Sequence, residues 1–383
     1  MKKSGFIFLL IVLIMSIGGC SDGVPVASSC IDDVYTVERM KKLKISIDVF
    51  GDSYRWEVTS PDGVLSVVST SKECILIAQM PGRYKLKLIV SDNGSEFAYN
   101  SDVIVKKEDV AYSPYISTVY DFMPAPGQFV NAVPEFETND TKETMRRKAA
   151  ESICGESGGL LSLGACGGYI VFGFDHTIIN AVGESDFSVY GNAMYTENSK
   201  GEITAANAEP GVVYVSLDVN QNGKPDDVWY ELAGSEYGKQ STVKGYEIVY
   251  SKQGDINANI PWRDNRGGSG FVEKNMIHKQ DYYPLWMDKL DLIYNVTLLP
   301  KNGKEVRPSY FIQKPYEWGY VDNWPNSYED KNSFDIEWAV DKNGNKVNLP
   351  GADFIKVVTG VSQACGWLGE TSTEITGAKD RHI

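Results

Sequence analysis

From residue 31 to residue 107 the chain alternates apolar and polar positions in short runs, KISIDVF (44–50), YRWEV (54–58), CILIA (74–78) and RYKLKLIV (83–90), divided by Gly, Pro, Asp and Ser. A period of two built from β-branched and aromatic residues predicts strands. In the last run Tyr84, Leu86, Leu88 and Val90 fall on one face and Lys85 and Lys87 on the other, the mark of a half-buried antiparallel strand. About seven such strands make a small sandwich.

The pattern changes over 108–158. SPYISTVYDFMPAPGQFVNAVPEF (113–136) carries Pro114, Pro124, Pro126 and Pro134, which predicts an extended surface connector. Asp140 offers a helix cap with Glu143 three residues on, and good helix formers follow, so one short linker helix is expected over 141–153. Its Arg146, Arg147 and Lys148 form a solvated face. From 159 to 383 strand-like runs return, GGYIVFGF (167–174), GVVYVSLD (211–218), GYEIVYS (245–251) and DFIKVVTGV (353–361) among them. Repeats of 20 to 50 residues are not apparent, which disfavours a propeller or solenoid. The fold class expected is all-β: an N-terminal immunoglobulin-like sandwich over 31–107, a linker with a short helix over 108–158, and a larger β-sandwich over 159–383.

The chain has 383 residues, 42% of them hydrophobic, and a formal charge of −14. That balance argues against nucleic acid as a partner, because affinity there rests on clustered Lys and Arg. Three histidines leave little room for zinc or for His-based acid–base chemistry. Lys2 and Lys3, an apolar run over 5–17 and the small residues Gly18 and Gly19 ahead of Cys20 read as a secretory signal over 1–19, too short to span a bilayer. IGGC (17–20) resembles the lipobox of bacterial lipoproteins. The resemblance implies lipidation of Cys20, a tether over 20–30 and an outer-membrane location at the cell surface. Among the other cysteines, Cys30 with Cys74 and Cys154 with Cys166 are open pairings, and burial as small apolar residues is the alternative; Cys365 is left over.

The sharpest chemical signal is DVNQNGKPDD (218–227). Calcium takes about 6 to 8 oxygen ligands, and a D-x-N-x-N-G loop sets side-chain oxygens at alternate positions around a glycine turn. Asp218, Asn220 and Asn222 are side-chain candidates, Lys224 offers its carbonyl, and Asp226 or Asp227 closes the shell. Trp229 stands at the twelfth position and a strand precedes the loop, so it is not an EF-hand. An Asn-Gly hairpin turn with solvated carboxylates is the plainer reading. DKNGNK (341–346) lacks the trailing carboxylates and reads as a turn.

ESDFSVYGN (184–192), NAEPGVVYVSLD (207–218) and the segment 351–380 resemble galactose-binding-like jelly rolls. In these a structural calcium often sits where the first and last strands meet. The resemblance makes Asp186, Asn192, Glu209, Glu374 and Asp380 candidate ligands of a second ion. YRWEV with MPGRYKLKLIVSD (80–92) resembles PKD modules. FMPAPGQFVN, GGYIVFGFDHTIIN, DVWYELAGSEY, KPYEWGYVDNWPN and FDIEWAVDKNGNKVNLPGADF are similar to a family of Bacteroidetes cell-surface lipoproteins with an N-terminal PKD-like module. That family implies a TonB-dependent outer-membrane transporter, for cobamides among other cargo, as partner.

Seven of the eight tryptophans lie between Trp229 and Trp367. Trp262, Tyr282, Tyr283, Trp286, Trp318, Tyr320 and Trp324 stand in polar, loop-like surroundings and are candidates for a binding rim, where flat rings give contact area at low entropic cost. Catalytic motifs are weak. His176 follows Asp175, but neighbours on a strand point to opposite faces, so a dyad is not expected. His278 has Asp281 nearby and no activated nucleophile. The expectation is therefore a non-enzymatic surface lipoprotein that binds a ligand, a cobamide first and a glycan second. Its alternatives are a carbohydrate-active enzyme, marked by two carboxylates in a deep groove, and a structural or adhesive protein.

Overall fold

The computed structural model describes residues 30–156, 158–308 and 310–383. The expected signal segment, Cys20 with its expected lipid and all of the tether except Cys30 lie outside them. The described residues are almost all β: twenty-eight strands, one α-helix and three 3-10 turns. Among them no helix is long and apolar enough to cross a membrane.

The first hydrophobic cluster draws on residues from Ile31 to Val105. A five-stranded sheet runs Val34–Glu38, Ser95–Lys106, Gly82–Asp92, Ser53–Thr59, Leu65–Ser69 in spatial order, and the pair Leu43–Ser46 with Glu73–Leu76 forms a second sheet. Tyr84, Leu86, Leu88 and Val90 are buried, as their alternation with lysines requires. Trp56 fills the centre and donates its indole N–H to the Ser71 carbonyl at 2.9 Å, which satisfies the one polar atom a buried tryptophan carries.

The second cluster runs from Ile116 to Ala378. Its backbone is an antiparallel six-stranded sheet ordered Ala339–Val340, Tyr230–Leu232, Gly211–Ser216, Phe354–Thr359, Tyr169–Gly173, Thr118–Met123. The strands in the middle are near-continuous apolar runs because both faces are covered. A four-stranded sheet, Ser269–Val272, Ile260–Asp264, Val243–Ser251, Asp291–Leu298, contributes Tyr246, Ile248, Tyr250, Leu292 and Tyr294 to the same core.

Residues 108–158 are not a surface linker. Ile116, Val119, Phe122 and Ala125 are fully or almost fully buried, and Thr118–Met123 is the edge strand of the six-stranded sheet. The prolines flank that strand rather than interrupt it, so they cost no ladder bond. The helix Lys142–Ile153 packs Met145, Ala149 and Ile153 into the core. Its cap is one residue later than expected. Thr141 accepts from the Thr144 N–H at 3.3 Å and the Thr144 hydroxyl accepts from the Thr141 N–H at 2.7 Å. Asp140 instead takes Lys148 at 2.8 Å.

A carboxylate-floored cavity as the candidate functional site

Glu209 stands between the strands Ile203–Asn207 and Gly211–Ser216, Asp322 follows the bridge that pairs Val321 with Gly211, and Glu374 opens the strand Glu374–Ile375. Backbone bonds fix them to one another: the Glu209 N–H donates to the Asp322 carbonyl at 2.9 Å, and the Glu374 N–H donates to the Asp322 carboxylate at 2.9 Å. Asp322 holds a left-handed backbone, φ 56°, which Asp tolerates better than most residues. It lies so close to Gly191 that a Cβ there would meet its Oδ1 at 2.4 Å. The glycine of the VYGN segment is what allows the two loops to meet.

Oxygens of the three carboxylates lie within 4.8 Å of one another, and among the described residues this is the one grouping of three His, Cys, Asp or Glu that could share an ion. Asp322 is wholly buried and Glu374 and Glu209 nearly so. No described Lys, Arg or His pairs with any of them. Their partners are neutral: Ser372 N–H (3.0 Å) and the Asn207 amide (3.2 Å) on Glu209, the Ser162 hydroxyl (3.2 Å) on Glu374, and the Asn192 N–H (2.8 Å) on Asp322. Burial pushes Glu209 up to about 7. Burial first, then the Glu209 charge, raises Asp322 and Glu374 well above the carboxylate range. An all-oxygen donor set, acidic and short of positive charge, suits a hard cation such as calcium. The three side chains supply part of a shell of about 6 to 8 oxygens and leave the rest to other donors.

Above this floor opens a cavity of about 320 Å³ that reaches Glu209, Glu374, Asn192 and Asn207. Its lining also includes the exposed Ile277 and Trp367 and the half-buried Phe129 and His278. The arrangement therefore combines buried carboxylates, the more exposed amides of Asn207 and Asn192, and exposed aromatic and aliphatic contact, a make-up suited to a ligand pocket.

The structure brings Asn192, Glu209 and Glu374 of the dispersed set together. Asp186 and Asp380 are engaged elsewhere. Asp380 bonds the His176 ring at 2.6 Å, and Asp186 bonds His382 at 3.0 Å and the backbone of Ala181 and Ile336. Asp322 takes the third place at the floor. It stands in YVDNWPN, where the aromatic neighbours drew attention away from the acid. A His176–Asp175 pair, which the strand pattern did not predict, is present: the two bond at 2.7 Å, because the strand Tyr169–Gly173 has ended and the next residues bend. Burial alone would lower His176, but its hydrogen bonds to the Asp380 and Asp175 carboxylates outweigh it and hold the ring above its ordinary value.

In the loop 218–227 the side chains turn inward. Asp218 accepts from the N–H groups of Asn222 (3.1 Å) and Gly223 (2.9 Å), Asn220 accepts from Asn222 N–H (3.0 Å), and Asp226 accepts from the Asn222 and Asn220 amides at 3.0 and 3.3 Å. The Lys224 carbonyl accepts from Asp226 N–H at 2.9 Å, and one buried oxygen of Asp227 has no partner. DKNGNK forms a turn around Asp341, which accepts from the N–H groups of Asn343 and Asn345.

The aromatic rim needs correction. Tyr282, Tyr283, Trp286 and Tyr320 are core residues. The tyrosine hydroxyls bond to backbone, as buried phenols must: Tyr283 to the Lys289 carbonyl at 2.7 Å, Tyr282 to the His278 carbonyl at 3.1 Å, Tyr320 from the Glu236 N–H at 3.0 Å. Trp262, Trp318 and Trp324 are half-buried; Trp318 packs on Trp338 and Trp324 on Tyr195. Among the described residues none of the seven lines the cavity, whereas Trp367 does. The five cysteines from Cys30 to Cys365 are free thiols.

No family model and no curated protein matches the chain. Among solved structures, the fibronectin(III)-like modules of CbhA from Clostridium thermocellum are 14% identical, covering 64% of this chain and 86% of theirs at a TM-score of 0.16. A SusE-like protein is 9% identical, covering 86% of this chain and 88% of its own at a TM-score of 0.25. Superpositions that loose establish no common topology, and the reading below rests on this chain's own residues.

Proposed function

We propose that the protein is a non-enzymatic capture protein, anchored at the outer-membrane surface through Cys20, that holds a small polar ligand in the cavity over a calcium ion on Glu209, Asp322 and Glu374. The observation that carries this reading is a cavity opening on buried acids that have no cationic partner. Calcium in the loop 218–227 would be a second, stabilising ion. A glycan fits better than a cobamide, because a cavity of about 320 Å³ sits at the small end of the range of about 300 to 1,000 Å³ for ligand pockets. A corrin with its nucleotide loop would have to lie across the mouth. Hand-over to a TonB-dependent transporter is the step that capture at the surface would serve.

A glycosidase reading has one point in its favour, since Glu209 and Glu374 reach the same cavity. Hydrolysis, however, requires carboxyl groups on either side of the scissile bond, about 5 to 9.5 Å apart. Here oxygens of the two lie within 4.8 Å of one another, together at the floor rather than on either side of a bound sugar bond.

Calorimetry of the chain from residue 21 with calcium, then with a glycan panel and a cobamide in calcium and in EDTA, tests the proposal. The Glu209→Gln/Glu374→Gln and Asp218→Ala/Asp226→Ala pairs assign calcium to the floor or to the loop. Expected is glycan binding that is lost in EDTA and in the floor variant, with no product released. Calcium and glycan binding unchanged in the floor variant would overturn it, and turnover would move the protein to the enzyme class.

A further inference from the structure

A tryptophan ring offers a large flat contact area with few rotatable bonds, so its position at a cavity matters for what the cavity can hold. Trp367 is 54% exposed and lines the cavity mouth. The loop that presents it is held on every side. Gly366 and Gly369 take left-handed backbones, φ 61° and 85°, and the Cys365 N–H closes on the Gly369 carbonyl at 2.8 Å. A side chain at Gly366 would strike Phe311 at 2.7 Å.

The lining also includes Ile277, 66% exposed. Its segment folds round Asn275, whose side-chain oxygen accepts from the N–H groups of Ile277 (3.0 Å) and His278 (2.6 Å). One buried side chain joins that segment to the Trp367 loop. The Gln128 amide donates to the Leu368 carbonyl and accepts from the Asn275 amide, each at 2.6 Å, while its own N–H bonds Glu370 at 2.6 Å. The distance between the two is thus set before any ligand arrives, and preorganisation of this kind reduces the entropy lost on binding.

A cavity lined both by hydroxyl-matching groups and by a flat aromatic ring fits an amphipathic ring. A pyranose has that form: equatorial hydroxyls round its edge and C–H bonds on its face. The floor is closed by buried carboxylates, so a sugar chain cannot pass through, and only its last ring can enter. We infer that the cavity takes a single terminal pyranose, its hydroxyl edge on Asn192, Asn207, Glu209 and Glu374 and its C–H face on Trp367. This deepens the capture reading and rests on it. Ile277 adds apolar contact at the same cavity.

The test is calorimetry of the full chain in calcium with methyl α-mannopyranoside, methyl β-galactopyranoside and methyl α-glucopyranoside, and with a linear oligosaccharide of each sugar. One methyl glycoside is expected to bind one to one, and its oligosaccharide to bind within about threefold of it, since only the end ring is held. Trp367→Ala should weaken binding about three- to tenfold, and Trp367→Phe should restore most of the loss. An oligosaccharide bound about 100-fold tighter than every methyl glycoside would overturn the single-ring inference. Unchanged affinity in Trp367→Ala would remove the stacking wall. No saccharide binding, with a calcium response that Glu209→Gln/Glu374→Gln abolishes, would overturn the inference and leave the ion site standing. Loss of both would overturn the capture reading as well.

Discussion

Glu209, Asp322 and Glu374 share one buried volume, where ionisation is opposed by lost hydration and by like charge. Each therefore titrates above its unfolded value, and the sign of the pH effect follows. Below the ordinary glutamate value of 4.5 both states hold the proton; between there and about 7 the native Glu209 keeps a proton that the unfolded chain has released. Stability from this group is whole below that window and falls as pH rises across it, with a slope approaching about 1.4 kcal/mol per pH unit for each such carboxyl. Without calcium the protein should melt at a lower temperature at pH 8 than at pH 5.5. Glu209→Gln/Glu374→Gln should flatten that fall and raise the calcium-free melting temperature at pH 8, because amides carry no charge to desolvate. Differential scanning calorimetry of both chains in EDTA measures it. A variant with the same pH slope as the parent would show that these acids do not govern it.

At the scale of elements, what was legible depended on whether local pattern or distant contact set the outcome. The alternation through Tyr84, Leu86, Leu88 and Val90 specified a strand and its buried face, because a period of two is a local property. The prolines of 113–136 predict a connector, but proline content says nothing about which residues between them meet a sheet; Val119 and Phe122 do. Glu209 and Glu374 could be named as candidates, but Asp322 joins them through a loop crossing that depends on Gly191. Tryptophans in polar stretches were the least informative signal, since a strand-poor core segment and a binding loop have the same composition. Trp286 illustrates the point. It stacks on Phe122 and Phe136 at 6.0 and 6.1 Å, and its indole N–H has no partner. Trp286→Ala should cost about 3 to 5 kcal/mol in chemical denaturation. Trp286→Phe should cost less than Trp286→Ala, because it leaves a smaller cavity and no hydrogen bond is lost. Glycan affinity of the folded fraction should be unchanged in both, and a binding defect in Trp286→Phe would return that ring to the rim.

The two hydrophobic clusters of the molecule meet at a small, specific contact. Lys42, just ahead of the strand Leu43–Ser46, extends its ammonium to the Asp218 carbonyl at 2.8 Å and the Asp353 carboxylate at 2.7 Å. Asp353 also accepts from the Asp218 N–H and the Thr177 hydroxyl, each at 2.6 Å. Met40 and Ile77 from one side close on Ile179 and Leu217 from the other. Asp218 thus belongs to two structures: its backbone holds the N-terminal sandwich, and its side chain opens the acidic loop. The division has a consequence that separates the two roles. Lys42→Ala removes charge-assisted bonds at a largely buried contact and should lower the barrier to separation of the two parts by about 1.5 to 3 kcal/mol. Proteolysis between residues 107 and 113 should then become faster, and the radius of gyration in small-angle scattering should rise. Calcium binding by the loop, measured by titration, should stay as it was, because the ion is expected to take the Asp218 carboxylate and not the carbonyl that Lys42 releases. If calcium affinity falls together with resistance to proteolysis, the loop and the contact form one cooperative unit. The ion would then set the angle at which the N-terminal sandwich presents the cavity.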